Sequence, residues 1–298
     1  MLERMRFFLT ILMLICCVAV DASQVVLVTG ASRGIGFAIA QRLSREGYVV
    51  YAGKRTTSTL EFLSPLQKLY PDHLFLVDLD VTDQESIDKA VQRIVEEEGR
   101  IDILVNNAGI EVYGSVENVS IDEAQKMFDV NFFGPMRMCQ AVLPIMRSQM
   151  SGRIIQIGSR SGFRPLPSIS IYAASKFALE GLSETMAATL QSWNILVSLI
   201  EPGPVKTDLD FLAPYGSHLP REIDPYAPIF ERAGLLDPNS PLAQEPDEIA
   251  CIVQDAIEAK CPLFRYQTTD AIKNQAAQRW IDITGVSHVK EWDSVLFK

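Results

Sequence analysis

Thiols, imidazoles and positive charge are all scarce in this 298-residue chain, and each shortage closes off a class of function. Of five cysteines, Cys16 and Cys17 lie in the first apolar stretch, leaving Cys139, Cys251 and Cys261 scattered, with neither a disulfide framework nor zinc spacing. His73, His218 and His288 stand far apart, so no metal site is expected. The net charge of −10 argues against nucleic acid as a partner. An anionic ligand would have to be held by local cations and backbone N–H groups. Internal repeats are absent, and 48% hydrophobic with 21% charged residues describes one globular unit with a large core. Long apolar runs are missing too, except one. Phe7 to Val20, behind Arg4 and Arg6, would span about 21 Å as a helix, short of the roughly 30 Å bilayer core. That length suits a signal h-region better than an ordinary spanning helix.

What is present centres on Tyr172-Ala173-Ala174-Ser175-Lys176, a phenol and an ammonium four residues apart and so on one helix face. An isolated Tyr titrates near pH 10, and moving it to about 7 takes roughly 4 kcal/mol of preference for the phenolate, which a close cation can supply. Taken alone, Tyr-x3-Lys is common by chance. Two upstream features raise its meaning. Ser159 ends the apolar run Arg153-Ile154-Ile155-Gln156-Ile157-Gly158, placing a hydroxyl at the C-terminal end of a buried strand, where open α/β sheets bind ligands. Thr29-Gly30-Ala31-Ser32-Arg33-Gly34-Ile35-Gly36 follows the strand Val25-Val26-Leu27-Val28 and opens an apolar-periodic helix. Its glycines permit a tight turn and close backbone approach, so a pyrophosphate can sit on the helix N-terminus.

With Asn106-Asn107-Ala108-Gly109, Asn131 and Pro202-Gly203 added, the chain resembles the short-chain dehydrogenase/reductase family from about Val25 to about Arg265. Within that family, Ala174 to Leu182 and Ser198 to Val205 look like the estradiol 17-beta-dehydrogenase and retinol dehydrogenase branch. The resemblance implies a single doubly wound Rossmann domain, residues 23–298, with a mostly parallel seven-stranded sheet. It implies a cofactor site at Gly30, Ser32, Arg33, Gly34, Ile35, Gly36, Asp80, Val81, Asn107, Ala108, Gly109, Tyr172, Lys176, Pro202, Gly203, Val205 and Thr207. It also implies hydride transfer with Tyr172 as acid/base, Ser159 and Tyr172 holding the substrate oxygen, and Lys176 acting on both Tyr172 and the nicotinamide ribose. In the same picture Asn131 holds the lysine and a water for proton relay.

The second strand, Tyr48 to Gly53, closes on Lys54 and Arg55, where an acid would bond free ribose hydroxyls. With Arg33 these cations point to a 2′-phosphate and hence to NADP(H). Further strands are expected at His73–Asp78, Ile101–Val105 and Ile195–Ile200, and helices around Ser58–Leu69 and at Gln84–Glu98. A helical region from Ile121 to Gln149 should bend or divide at Pro135. It and the helix from Tyr172 to about Trp193 carry outward apolar positions, and the resemblance implies that these two helices pair across a dimer axis, hence a homodimer. Residues 208–246 are Pro-rich and are read as a substrate lid, with Phe211, Leu212, Tyr215 and Phe230 as its apolar contribution, beside Phe163 and Leu166 after the serine. A helix Asp247–Ala259 and a strand Leu263–Tyr266 should close the fold, and the remainder is weakly patterned.

A bulky apolar ketone, aldehyde or alcohol (retinoid-, steroid- or lipid-like) is the expected substrate. The competing readings are a 3-ketoacyl thioester reductase, whose members typically end sooner after the last strand, and a non-catalytic nucleotide-binding protein of the same fold. Residues 1–22 are either a signal peptide or a membrane anchor. Cleavage after Ala22 would leave only Ser23 and Gln24 before the first strand and, by secretion, part the protein from cytosolic NADPH. Membrane association or the secretory pathway follows, or the cytosol if the true start lies downstream.

Overall fold

The computed structural model describes residues 23–207, 214–234 and 243–282. Seven strands form its centre: β1 (Val25–Val28), β2 (Val49–Lys54), β3 (Leu74–Asp78), β4 (Ile103–Asn106), β5 (Gly152–Ile157), β6 (Ile195–Glu201) and β7 (Arg265–Gln267). They lie in the order β3-β2-β1-β4-β5-β6-β7, and all six neighbouring pairs are parallel. The order runs outward in both directions from the β1/β4 boundary, which is therefore the switch point where such sheets form a ligand crevice.

Parallel strands are covered on both faces, so their residues are apolar on both sides of the pleat. Val26 and Val28, with Ile103, Val105, Ile155 and Ile157, join one core with α1 (Gly34–Arg45), α2 (Leu63–Leu69) and α8 (Pro246–Glu258). Val25 and Leu27, with Leu104 and Ile154, join the other with α3 (Gln84–Glu98) and α5 (Gly134–Gln149). α3 has the expected bounds because its ends are written in the sequence. The Asp83 carboxylate accepts from the Glu85 N–H at 3.0 Å, and Gly99 ends the helix at φ 71°.

The region from Ile121 divides as Pro135 predicts. α4 (Ile121–Phe128), capped by the reciprocal Ser120 and Glu123 box, runs into a π-helical turn, Asp129–Phe133, before α5. Pro135 has no N–H, so the Asn131 carbonyl four residues earlier loses the donor that a regular α-helix would supply. α6 (Ser170–Thr189) continues as a 3₁₀ turn over Leu190–Trp193.

Several expectations need correction. The helix expected from Ser58 starts at Leu63, and β7 is shifted to Arg265–Gln267 because its ladder is set by Leu199, Ile200 and Glu201 of β6. The Pro-rich stretch contains a helix, α7 (Ala227–Arg232), and the weakly patterned C-terminal part contains α9 (Asp270–Ile281). α9 starts where the Thr269 hydroxyl accepts from the Ile272 N–H at 3.2 Å, and it buries only Ile272 and Ala276, too few for a visible period. No described helix is long and apolar enough to cross a membrane, and the segment at residues 7 to 20 lies outside the described residues.

The α1/α8 seam should carry much of the stability, since Leu43 is fully buried there. Leu43→Ala should cost about 2–5 kcal/mol, the range for a truncated core leucine. Urea unfolding checks this, and an unchanged midpoint would contradict the packing described.

Candidate active site

Because every strand is parallel, the loops after β1, β4, β5 and β6 emerge along one edge. Two of these strand ends are tied together by Thr29 and Asn107. The Thr29 N–H donates to the Val105 carbonyl at 3.0 Å, and its hydroxyl oxygen accepts from the N–H groups of Asn107 and Ala108, each at 3.0 Å. The Asn107 amide donates back to the carbonyls of Thr29 at 2.9 Å and Gly30 at 3.2 Å.

This clamp explains the glycines. Gly30 has φ 65°, and a Cβ there would lie 2.9 Å from the Ala108 Cα; a Cβ on Gly36 would lie 2.4 Å from the Asn107 amide nitrogen. A Cβ on Gly34 would approach the Thr207 side chain at 3.3 Å, so the glycine loop and the loop after β6 face one another. The Arg33 side chain makes no cap hydrogen bond to the N-terminal amides of α1. Closely approached backbone, small residues and an uncapped helix N-terminus fit the pyrophosphate of a dinucleotide.

At the end of β2, Lys54 pairs with Asp78, the residue opposite it in β3, while Arg33 and Arg55 are exposed. Asp80 accepts from the Thr82 N–H at 2.9 Å and its hydroxyl at 2.7 Å. Burial raises the Asp80 carboxyl, but those two bonds and the Arg55 charge outweigh it, leaving a net lowering. Val81 is buried against Gly134, where a Cβ would lie 2.8 Å from it.

The groups expected to react come from the end of β5 and from α6. Ser159 follows β5 in extended backbone, and its hydroxyl oxygen accepts from the Ser161 N–H at 3.0 Å, keeping its own hydrogen to donate. Tyr172 and Lys176 share the inner face of α6, with the Lys176 Nζ 5.6 Å from the centre of the Tyr172 ring. Lys176 is only 5% exposed and donates to the Ile157 carbonyl at 2.9 Å. Burial pushes its ammonium down to about 8, opposed by the carboxylates of Glu111 and Glu180.

Asn131 lies on the neighbouring π-helical turn. Its side chain grips the backbone of Ile110, accepting from the N–H and donating to the carbonyl, each at 2.9 Å, and donates to the Ser175 hydroxyl at 3.1 Å. Among the described residues no direct hydrogen bond joins Asn131 to Lys176. Instead it fixes the loop after β4 to α6 one residue from the lysine. Sequence reasoning missed Glu111 and Glu180 altogether, since a single acid without spacing carries no signal.

Of the residues expected at the substrate, Leu166 packs with Val112, Val119, Met127, Ile169 and Tyr172 in an apolar cluster around the phenol. Phe163 instead forms a cluster with Ile272 and Ala276, held by the unexpected helix α9. The Pro-rich stretch is joined to the body where the Tyr113 N–H donates to the Pro214 carbonyl at 2.9 Å and the Gly216 N–H to the Tyr113 carbonyl at 2.7 Å. Tyr215 donates to Asp224 at 2.7 Å and Phe230 is buried, whereas Phe211 and Leu212 lie outside the described residues.

The sequence profile for short chain dehydrogenase matches residues 24–212. The chain is 37% identical to human 17-beta-hydroxysteroid dehydrogenase type 1 over 90% of its own length and 84% of that protein's. It is 33% identical to bovine retinol dehydrogenase 8, with 93% and 92% covered. It is 40% identical to the 3-ketodihydrosphingosine reductase of Bacteroides thetaiotaomicron, a match that spans 62% of this chain and 65% of that one. Among solved structures it is similar to a short-chain dehydrogenase from Streptomyces avermitilis, with TM-score 0.79, 31% identity and 92% and 98% of the two chains covered. An alcohol dehydrogenase of Thermococcus sibiricus, complexed with 5-hydroxy-NADP, has TM-score 0.67 and 27% identity, with 82% and 95% covered.

The buried lysine gives a prediction that does not depend on turnover. Its folded value of about 8 lies below the ordinary 10.5, so its contribution to stability is present above 10.5 and lost as pH falls through about 8. Thermal midpoints of wild type and Lys176→Met should therefore diverge in favour of the wild type as pH rises across that window. Parallel curves would mean the ammonium is not buried as described.

Proposed function

The chain belongs to the short chain dehydrogenase family, and from that membership we propose that it is an NADP(H)-dependent oxidoreductase acting on a bulky apolar carbonyl or alcohol. The observation that carries this reading is the buried Lys176 ammonium beside the Tyr172 ring, with the Ser159 hydroxyl on the neighbouring turn. A bound nicotinamide dinucleotide supplies the hydride. The residues of the chain do the rest.

Tyr172 passes a proton to or from the substrate oxygen, and the nearby cation favours its phenolate form. Ser159 donates to the same oxygen and stabilises charge developing there. Lys176 also holds the nicotinamide ribose, and a water between it and the Asn131 carbonyl returns the proton to solvent. The glycine loop at Gly30, Ser32, Gly34, Ile35 and Gly36 takes the pyrophosphate. A bound dinucleotide would have Asp80 and Val81 against its adenine, backbone closely approached at Asn107, Ala108 and Gly109, and, after Pro202 and Gly203, Val205 and Thr207 against its carboxamide. Arg33, Lys54 and Arg55 take the 2′-phosphate, supported by the lack of an acid closing β2. Lys54 already pairs with Asp78, so part of its charge is shared.

The substrate class is supported by the apolar cluster around Tyr172 and by relatives whose names refer to a steroid and to retinol. The exposed side chains of Phe133, Met136 and Phe177 support a homodimer through α5 and α6, and the segment at residues 7 to 20 supports a membrane as the place where substrate is met. Protein truncated by removal of residues 1 to 22 should then stay active in detergent while leaving the membrane fraction.

Two measurements test the reading. Tyr172→Phe should lower turnover by about 10²- to 10⁴-fold, the loss expected for a general acid/base, with NADPH affinity little changed; near-normal turnover would assign the proton to another group. Replacing Lys54 by Asp and Arg55 by Ser should weaken NADPH far more than NADH, each charge-assisted phosphate contact being worth roughly 1–3 kcal/mol. A wild-type preference for NADH would overturn the cofactor assignment.

A further inference from the structure

One turn further along the inner face of α6 lies a second charged cluster. Glu180 is one turn beyond Lys176, and Glu201 ends β6 with no exposure at all. Arg265 of β7 reaches Glu180 at 3.2 Å, Glu184 at 3.1 Å and Glu201 at 3.5 Å, with its guanidinium over the rings of Phe264 and Trp280. Gln267 donates to the other Glu201 oxygen. One cation thus faces two buried carboxyls and an exposed third.

In each buried carboxyl one oxygen, Oε1, has no hydrogen-bond partner in ionised form. Two buried carboxylates held by the same guanidinium would repel, and a proton kept by one of them gives the otherwise unpartnered oxygens a donor. Burial raises both groups, and the Glu201 charge raises Glu180 further, which puts the proton on Glu180. A cavity of about 230 Å³ bounded by Phe163, Phe177 and Trp280 opens on the Glu180 side and gives that proton a route out.

The cluster bears on the catalytic turn. Gly162, in the 3₁₀ turn after Ser159, sits so close that a Cβ would lie 2.9 Å from the Glu180 Oε1 and 3.3 Å from the Lys176 carbonyl. The Arg160 N–H donates to the Pro202 carbonyl at 2.7 Å, holding the same turn to the end of β6. Anything that moves Glu180 from Glu201 therefore moves the seat of Ser159 and the turn of helix that carries Lys176.

We propose that Glu180 and Glu201 share one proton in a clamp between α6 and β6, and that Glu180 is thereby a positioning residue for Lys176 and Ser159. The turnover part of this rests on the oxidoreductase reading; the clamp itself does not. The charged groups facing the pair are Arg265 from β7, Glu184 and Lys176 on α6, and Arg279 from α9 across the cavity.

The test uses the full chain and reads thermal midpoint and turnover from about pH 5 to about pH 9, for wild type, Glu180→Gln, Glu201→Gln and, as a control outside the pair, Glu184→Gln. A carboxyl raised in the folded state gives stability that is full below its unfolded value and lost as pH rises through the folded one. The wild-type midpoint should fall with pH relative to Glu180→Gln, whose amide replaces the shared proton permanently, while Glu184→Gln follows the wild type. Turnover of Glu180→Gln should hold to higher pH than that of the wild type. If Glu180→Gln does not fold, Glu201→Gln is read in the same way. Parallel midpoint curves for all proteins would overturn the shared proton. Diverging midpoints with superimposable turnover profiles would overturn the positioning role, and failure to find any turnover would count against the oxidoreductase reading while the midpoints still decide the clamp.

Discussion

The burial of one ammonium governs the arrangement of this site. A lysine taken out of water is unfavourable unless an acceptor and opposite charge are near, and Lys176 donates to the Ile157 carbonyl and feels the charge of Glu111. Ile157 is the last residue of β5, so the bond that satisfies the lysine also fixes α6 against the strand that delivers Ser159. Tyr172, one turn back, is carried along. The site is thus preorganised by a side chain that would destabilise the fold if its surroundings were less complete.

The same logic extends to the crevice. Thr29 and Asn107 bind each other's backbone across the β1/β4 boundary, and this closes the strand ends tightly enough that only glycine fits at two points of the loop. Asn131 ties the loop after β4 to α6 through Ile110 and Ser175, in a π-helical turn that Pro135 makes favourable. Three elements distant in sequence are held by a few amides, a pattern in which removal of one group leaves several buried donors and acceptors unmet.

Much of this was legible in the sequence, for identifiable reasons. Strands with near-continuous apolar runs and a helix bounded by Asp83 and Gly99 carry their own signals, and α3 has the expected limits. The division of the helix at Pro135 follows from a missing N–H. What could not be read was long-range. α9 buries two residues and owes its place to Phe163, and β7 takes its register from β6. The contact of Asn131 with Ile110 and Ser175 rather than Lys176, and the pairing of Lys54 with Asp78, depend on which strand lies beside which. Glu180 falls in the same class, because its partners Glu201 and Arg265 belong to two other strands.

A site that directs hydride between a nicotinamide and a carbonyl carbon carries an isotope from one to the other. Enzyme supplied with NADPH carrying deuterium at both C4 positions, and with a retinoid, steroid or long-chain 3-keto substrate, should yield an alcohol with one deuterium on the carbinol carbon. Product alcohol without deuterium, or cofactor oxidised with no label in any product, would contradict the account.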